Sequence, residues 1–128
     1  MRLRSISVAL AVTLAGVFGA AVPAQAAGAN CDNGYFCLFA DTNYAGTRTL
    51  LAGGACATNV GSANDKASSV YNNTGYTVRF YQDTNLGGKY ILVAAHSGAS
   101  ALSSVVIYNA DGTFFGINTL NDRISSAC

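Results

Sequence analysis

Two short motifs, each occurring twice in the same order, constrain the fold of this chain more than any other feature. Phe39–Leu50 aligns with Tyr81–Leu92, and both copies open on an aromatic residue and contain Asp-Thr-Asn. Asn64–Ser69 aligns in the same way with Asn121–Ser126. This duplication indicates two similar units packed about an approximate two-fold axis. The second unit is longer than the first between its two motifs, and the turn signal Asn109–Gly112 predicts a hairpin that holds the excess.

Residues 1–26 predict a secretory signal peptide. Arg2 and Arg4 precede an apolar run from Ile6 to Val22, and Ala24-Gln25-Ala26 is a small-x-small cleavage site. A membrane anchor is the alternative, but the apolar run is short for a span and ends in a cleavage site. We therefore expect residues 27–128 to form one mature domain that is extracellular and has no membrane attachment.

The mature segment is close to electrically neutral, with five basic and six acidic side chains, and every acid is an aspartate. It lacks the basic patch on which nucleic-acid binding depends, so this class of function is excluded. Aspartate is rare in strands and common in turns, so we expect the acids to cluster in loops.

Short β-rich segments recur along the mature chain, separated by clusters of Gly, Asn, Asp, Ser and Thr. The predicted strands are residues 35–40, 48–52, 69–71, 77–81, 89–93, 104–108 and 113–117. Several short strands with frequent turn signals predict an all-β sandwich or barrel.

Four cysteines in a small exported domain predict two disulfides, and three pairings are open. Cys31 and Cys37 flank the turn signal Asn33-Gly34, which would bring their sulfurs together. Cys56 and Cys128 would then tie the C-terminus to the body of the domain. A zinc site is the rival interpretation, but these spacings do not match those of zinc fingers or ribbons.

The second repeated motif, Asn-Asp-x-x-Ser-Ser, places short oxygen-bearing side chains close together. It has two interpretations. Such residues can form turns that only organise the backbone. They can also supply the oxygen ligands that Ca²⁺ requires, and the occurrence of two matched copies favours this second possibility.

The two motifs resemble known signatures. Phe39-x4-Tyr44-x-Gly46 and Tyr81-x4-Leu86-x-Gly88 resemble the folded-hairpin signature of βγ-crystallin Greek-key motifs. The Asn-Asp-x-x-Ser-Ser segments resemble the calcium motif of the same superfamily. Leu86 stands where an aromatic residue is usual, so we expect a less regular second hairpin.

The resemblance implies a double Greek-key sandwich, with motif one at about residues 35–72 and motif two at about 76–128. It also implies two calcium sites, each with ligands from both motifs. The implied side-chain ligands are Asn64, Asp65, Ser68, Asn121, Asp122 and Ser125, and the implied backbone carbonyl ligands are those of Ala40 and Gln82.

A narrower resemblance concerns the N-terminal cysteines. Cys31-x2-Gly34-x2-Cys37-Leu38 is similar to the start of the Streptomyces metalloproteinase-inhibitor family, whose prototype acts on thermolysin-type enzymes. This implies the Cys31–Cys37 pairing and an extracellular protease as partner. The prototype carries its reactive bond on a second small disulfide loop. Cys56 and Cys128 are too far apart in sequence to close such a loop, so the inhibitory residues do not transfer.

Catalysis has little support in the sequence. The lone histidine, His96, is predicted to be a loop residue between strands, and no nucleophile motif such as G-x-S-x-G occurs. We expect a monomeric, secreted, non-enzymatic calcium-binding protein. Inhibition of extracellular metalloproteases is the alternative, with calcium then only structural, and a toxin-like or surface-interacting protein is a further one. An inhibitor needs a rigid exposed loop, for which Ala52–Gly61 and Ala94–Leu102 are candidates.

Overall fold

The computed structural model describes residues 30–128, so the predicted signal peptide lies outside the described part of the chain. Within it the strands are β1 (Tyr35–Asp41), β2 (Ala45–Ala52), β3 (Ser69–Asn72), β4 (Val78–Asp83), β5 (Gly87–Val93), β6 (Ser97–Ala99), β7 (Val105–Tyr108), β8 (Phe114–Asn118) and β9 (Ser126–Ala127). A single 3-10 turn, Gly61–Ala63, is the helical element of this region. No helix among residues 30–128 is long and apolar enough to cross a membrane.

The strands form two antiparallel sheets that confirm the predicted double Greek-key sandwich. The first sheet has the order β2-β1-β3-β6, and the second has the order β8-β7-β5-β4-β9. The first sheet takes β6 from the second unit. In return, Ala57 of the first unit bridges Ala127 in the second sheet. Each unit thus contributes a strand or a bridge to the sheet of the other.

The core lies between the two sheets and follows from the alternation of side chains along the strands. In β4, Val78 and Phe80 are fully buried whereas Arg79 between them is exposed. Phe80 meets Phe36 of the first sheet edge to face, with ring centroids 5.8 Å apart. The largest aliphatic members of the core are Leu38, Val60, Val70, Ile91, Leu102, Ile107, Leu120 and Ile124.

The predicted strands are all present, with small shifts at their ends. The sequence reasoning missed two short strands, Ser97–Ala99 and Ser126–Ala127. The first consists of serine, glycine and alanine and the second of serine and alanine, and these residues carry no β-strand signal. Ser97–Ala99 is a strand because β3 of the first unit lies beside it, and Ser126–Ala127 is a strand because β4 lies beside it.

The additional residues of the second unit form the β7–β8 hairpin, as predicted. Val60 of the first unit and Leu102 of the second occupy equivalent positions. The Val60 N–H donates to the carbonyl of Ser125, and the Leu102 N–H donates to the equivalent carbonyl of Ser68. The additional residues therefore lie after Leu102. The hairpin extends the second sheet beyond β5 through the pairing of Tyr90 with Tyr108.

Both expected disulfides are present. Cys31 pairs with Cys37 across a tight turn in which Gly34 has a φ of 88°. Cys56 pairs with Cys128, and the two positions are 72 residues apart. Closing a loop of that length stabilises the fold by roughly 4 kcal/mol in the chain-entropy view.

Candidate calcium-binding loops

Each unit begins with a folded hairpin whose turn needs unusual backbone conformations. Tyr44 has a φ of 59° and Leu86 has a φ of 57°, and the glycines that follow, Gly46 and Gly88, have φ values of 81° and 77°. The expectation that Leu86 makes the second hairpin less regular is therefore wrong. The same backbone conformation occurs with tyrosine in one hairpin and leucine in the other, so an aromatic ring is not needed for it.

Glycine is required at the two turns for a second reason. A Cβ atom at Gly46 would lie 2.6 Å from the Asp41 carboxylate, and one at Gly88 would lie 2.5 Å from the Asp83 carboxylate. The carboxylate of each Asp-Thr-Asn segment thus occupies the space that a side chain would need. This supports the interpretation of that motif as hairpin scaffolding.

The last serine of each Asn-Asp-x-x-Ser-Ser segment joins that segment to the hairpin of its own unit. Ser126 Oγ donates to the carbonyl of Asp83 and accepts from the Leu86 N–H at 3.0 Å. Ser69 makes the same two bonds to the equivalent backbone groups of the first hairpin, at 2.6 and 3.0 Å. Both serines are fully buried. The sequence reasoning assigned no role to them, although their repetition in both motifs was a signal.

The two Asn-Asp-x-x-Ser-Ser loops lie side by side and bond to each other. The Asp65 N–H donates to the carbonyl of Ile124 at 3.0 Å, and the Asp122 N–H donates to the carbonyl of Ala67 at 2.9 Å. Asp65 and Asp122 have φ values of 55° and 56°, in the left-handed region that aspartate tolerates better than most residues. The exchange places each aspartate next to the serine pair of the other unit.

The fifth-position serines of the loops lie next to the strands of the hairpins. The Ser68 N–H donates to the carbonyl of Phe39 at 2.8 Å, and the Ser125 N–H donates to the carbonyl of Tyr81 at 2.9 Å. Each serine is therefore adjacent to the residue after the hairpin aromatic. Those residues are Ala40 and Gln82, the two predicted backbone ligands.

One of the two predicted ligand sets lines an open pocket of about 630 Å³. Five of the eight predicted ligands line it, namely Asn64, Asp65, Gln82, Asp122 and Ser125. Within it, Ser125 Oγ donates to Asp65 Oδ1 at 3.1 Å, which joins a hydroxyl of the second unit to a carboxylate of the first. Asp83 and Arg123 also line this pocket, and the sequence reasoning had not assigned them to it.

The remaining predicted ligands lie elsewhere. Ala40 lines a separate pocket of about 260 Å³ together with Lys66. Ser68 and Asn121 are half-buried. They adjoin, in sequence, the two residues that the Asp122–Ala67 hydrogen bond joins. The ligands around Asp122 are therefore assembled at the backbone but divided between cavities, because Asp122 lines the larger pocket and Ala40 lines the smaller one.

The side-chain oxygens present fit a calcium ion. Asn64 Oδ1 is buried and has no hydrogen-bond partner among the described residues, so it is an acceptor that the protein leaves unsatisfied. No group of three or more His, Cys, Asp or Glu suited to a metal lies within residues 30–128. A cation here would therefore draw on amide, hydroxyl and carbonyl oxygens as well as carboxylate, and Ca²⁺ accepts all of these.

His96 lies in the loop between β5 and β6, as predicted, and is exposed. Its ring Nδ1 lies 2.9 Å from the amide oxygen Oδ1 of Asn73. The partner that orients the ring is thus a side-chain amide, whereas a catalytic base is commonly oriented by a carboxylate.

The two segments nominated as exposed inhibitory loops are part of the Greek keys. Ala52–Gly61 is held by the disulfide at Cys56 and by the bridge from Ala57 to Ala127. Ala94–Leu102 contains β6, which pairs with β3. Ala52–Gly61 is mostly exposed and held at these two points, whereas three residues of Ala94–Leu102 form β6 and are not an open loop.

Comparisons with known proteins agree with this architecture. Residues 24–93 match the model of peptidase inhibitor family I36. No curated protein is detectably similar to the chain in sequence.

Solved βγ-crystallin domains share the fold. A domain solved in work on the evolution of the eye-lens βγ-crystallin fold superposes with a TM-score of 0.58 at 21% identity, covering 79% of this chain and 88% of that one. A βγ-crystallin from Ciona intestinalis gives a TM-score of 0.55 at 19% identity, covering 73% and 96%. An archaeal βγ-crystallin gives 0.52 at 22% identity, covering 75% and 96%. The matches confirm the predicted βγ-crystallin fold.

Proposed function

Since the chain belongs to peptidase inhibitor family I36 and has a βγ-crystallin fold, we propose that it is a secreted, non-enzymatic, calcium-binding protein. The observation that carries the proposal is the pairing of the two Asn-Asp-x-x-Ser-Ser loops. Ser125 of one unit contacts the Asp65 carboxylate of the other, and the Asn64 side-chain oxygen beside them lacks a donor among the described residues. The signal-peptide pattern in the sequence supports secretion.

Each proposed site takes a carboxylate from one unit and a hydroxyl from the other. The first site consists of Asp65, Ser125 and the carbonyl of Gln82, with Asn64 beside them. The second consists of the equivalent positions, Asp122, Ser68 and the carbonyl of Ala40, with Asn121 beside them. When bound, the ion would supply positive charge between the two loops and so link the units.

The expected energetic effect is moderate. Extracellular calcium modules bind with dissociation constants of about 10⁻⁴ to 10⁻³ M. At a calcium concentration about 100-fold above such a constant, one site adds roughly 2.7 kcal/mol to the free energy of unfolding. For a domain of this size, that corresponds to a rise in Tm of roughly 10–20 °C.

Thermal unfolding in Ca²⁺, in Mg²⁺ and in EGTA tests this function. We expect the mature protein to melt at a higher temperature in Ca²⁺ than in either of the other two solutions, and Asp65→Ala to lose part of that increase. Equal melting temperatures in calcium and in chelator would contradict calcium binding.

Inhibition of an extracellular metallopeptidase is the second proposed function, and the family match favours it. An inhibitor needs a rigid segment that the peptidase binds tightly but cleaves and releases only slowly. An assay of thermolysin activity with increasing amounts of the mature protein tests it. Undiminished peptide hydrolysis at a large excess of the protein would exclude it for this enzyme type.

A further inference from the structure

The β7–β8 hairpin carries apolar side chains that the core does not use. Val106 is 44% exposed, Phe114 64%, Phe115 45% and Ile117 68%. Neither strand contains a charged residue. Clustered exposed apolar side chains of this kind mark a contact surface for another molecule.

The hairpin also has a free backbone edge. β8 is the outermost strand of the second sheet, so its outward N–H and C=O groups have no strand partner in that sheet. From Ala110 to Asn118 every residue except Gly116 is exposed. The other long outer strand, β2, differs because it carries Arg48, whose guanidinium lies 3.6 Å from Asp32. Charge on an edge strand disfavours the addition of another strand, and β8 lacks it.

The tip of the hairpin is rigid without a disulfide. The Asn109 N–H donates to the carbonyl of Thr113, and the Gly112 N–H donates to the carbonyl of Asn109, both at 2.8 Å. Asp111 Oδ1 accepts from the backbone N–H and the hydroxyl of Thr113, at 2.9 and 2.6 Å. These hydrogen bonds lower the pKa of the Asp111 carboxyl, so the tip keeps its charged acceptor at neutral pH.

The two phenylalanines after the tip are also held in place. Phe114 packs edge to face on Tyr108, with ring centroids 6.5 Å apart. The Lys89 ammonium lies over the Phe115 ring, 4.6 Å from its centroid. A segment whose backbone and side chains are already ordered loses less entropy on binding than a flexible loop does.

We propose that the β7–β8 hairpin is the segment that enters the active-site cleft of an extracellular metallopeptidase. Peptidases hold substrates as extended strands, by backbone hydrogen bonds and by pockets for alternate side chains. Phe114–Ile117 offers a free backbone edge, and Phe114 and Phe115 are the side chains that fill apolar pockets. The proposal rests on the inhibitory function above. The hairpin lies outside residues 24–93, the part of the chain that matches the family model, so its assignment rests on the structure of the hairpin itself.

Thermolysin inhibition by alanine variants tests this assignment. We expect Phe114→Ala or Phe115→Ala to raise the inhibition constant by about 30-fold or more, as for an anchor residue at an interface. Tyr35→Ala is the matched control, because Tyr35 is an exposed aromatic residue of the other sheet, and we expect it to change the constant by less than about twofold. All three side chains are at least one-third exposed, so melting temperatures should stay close to that of the wild type.

A second variant probes the rigidity of the tip. Asp111→Ala removes the acceptor of both Thr113 hydrogen bonds, so we expect thermolysin to hydrolyse this variant between residues 109 and 118 faster than the wild type. Mass spectrometry of the products locates the cut. An uncut Asp111→Ala variant that inhibits as well as the wild type would overturn the proposal.

The remaining outcomes distinguish failure of the hairpin assignment from failure of the proposed inhibitory function. If the wild type inhibits and the phenylalanine variants inhibit equally well, the hairpin assignment is wrong and the inhibitory function stands. If the wild type does not inhibit thermolysin, both the hairpin assignment and the inhibitory function fail for thermolysin-type enzymes. If sedimentation shows a dimer that Phe114→Ala dissociates while inhibition is unchanged, the surface binds a second copy, and the proposal is again wrong.

Discussion

Replacing Ser126 with alanine should reduce the stability of this fold, even though the change removes only one oxygen atom. Ser126 is 0% exposed, and its Oγ donates to the Asp83 carbonyl and accepts from the Leu86 N–H. Alanine would leave both backbone groups without a partner in a largely buried place. Each unsatisfied group costs about 1–3 kcal/mol.

The loss in the free energy of unfolding should therefore be about 2–4 kcal/mol, since water can reach part of the turn. For a domain of this size, the corresponding fall in Tm is roughly 10–25 °C. Ser69→Ala should give a similar loss because Ser69 makes the same two bonds in the first unit.

Urea unfolding followed by tyrosine fluorescence, in EGTA, measures these losses without a contribution from calcium. Ser104→Ala is the matched control, because Ser104 is an exposed serine just before β7, and it should change the stability by less than about 0.5 kcal/mol. If Ser126→Ala costs no more than this control, the serines do not hold the hairpins and the reasoning is refuted.

Three further perturbations have expected outcomes. Gly88→Ala should cost about 2–3 kcal/mol in urea unfolding, because the new Cβ would meet the Asp83 carboxylate at a positive φ; a neutral result would mean the turn adapts. Phe80→Ala should cost about 3–5 kcal/mol by the same assay, since Phe80 is fully buried against Phe36, and a loss under about 1 kcal/mol would contradict the assigned core. The lowered pKa of Asp111 means that its contribution is complete above the ordinary aspartate pKa of about 3.9 and is lost as pH falls through the folded value. A carbon-13 NMR titration should therefore give a midpoint below that value, and an unshifted midpoint would show that Thr113 does not hold the carboxylate.

Much of the fold could be predicted from the repeat, because the two copies of a motif are expected to occupy equivalent positions in the two units. The two aligned pairs of motifs predicted two units, and their unequal separation along the chain predicted the extra hairpin. Most strands were predicted because β-branched and aromatic residues are concentrated in short runs, as in β4 with Val78, Phe80 and Tyr81.

The parts that sequence reasoning missed depend on contacts between distant residues. Ser97–Ala99 is a strand because β3 of the other unit lies beside it, and nothing in its composition indicates a strand. The interpretation of Ala94–Leu102 as an open loop is wrong for the same reason. The buried role of Ser126 depends on Asp83 and Leu86, which belong to the hairpin at the opposite end of the second unit's sequence.

The sequence indicated which residues could form the candidate sites, but not that these residues would be divided between two different pockets. The motif identified Asp65 and Ser125, and the structure brings them within 3.1 Å of each other. It did not indicate that Ala40 would line a different pocket, with Lys66 in its wall. That difference arises from packing around the loops, which the repeated residues alone do not describe.

Calorimetric titration of the mature protein with Ca²⁺ tests the central claim most directly. We expect wild type to bind two ions, Ser125→Ala to lose the site that contains Asp65, and Ser68→Ala to lose the site that contains Asp122, while Ser104→Ala keeps both. No heat of binding beyond that of dilution, or two ions still bound by the Ser68→Ala, Ser125→Ala double variant, would contradict the claim that these loops hold calcium.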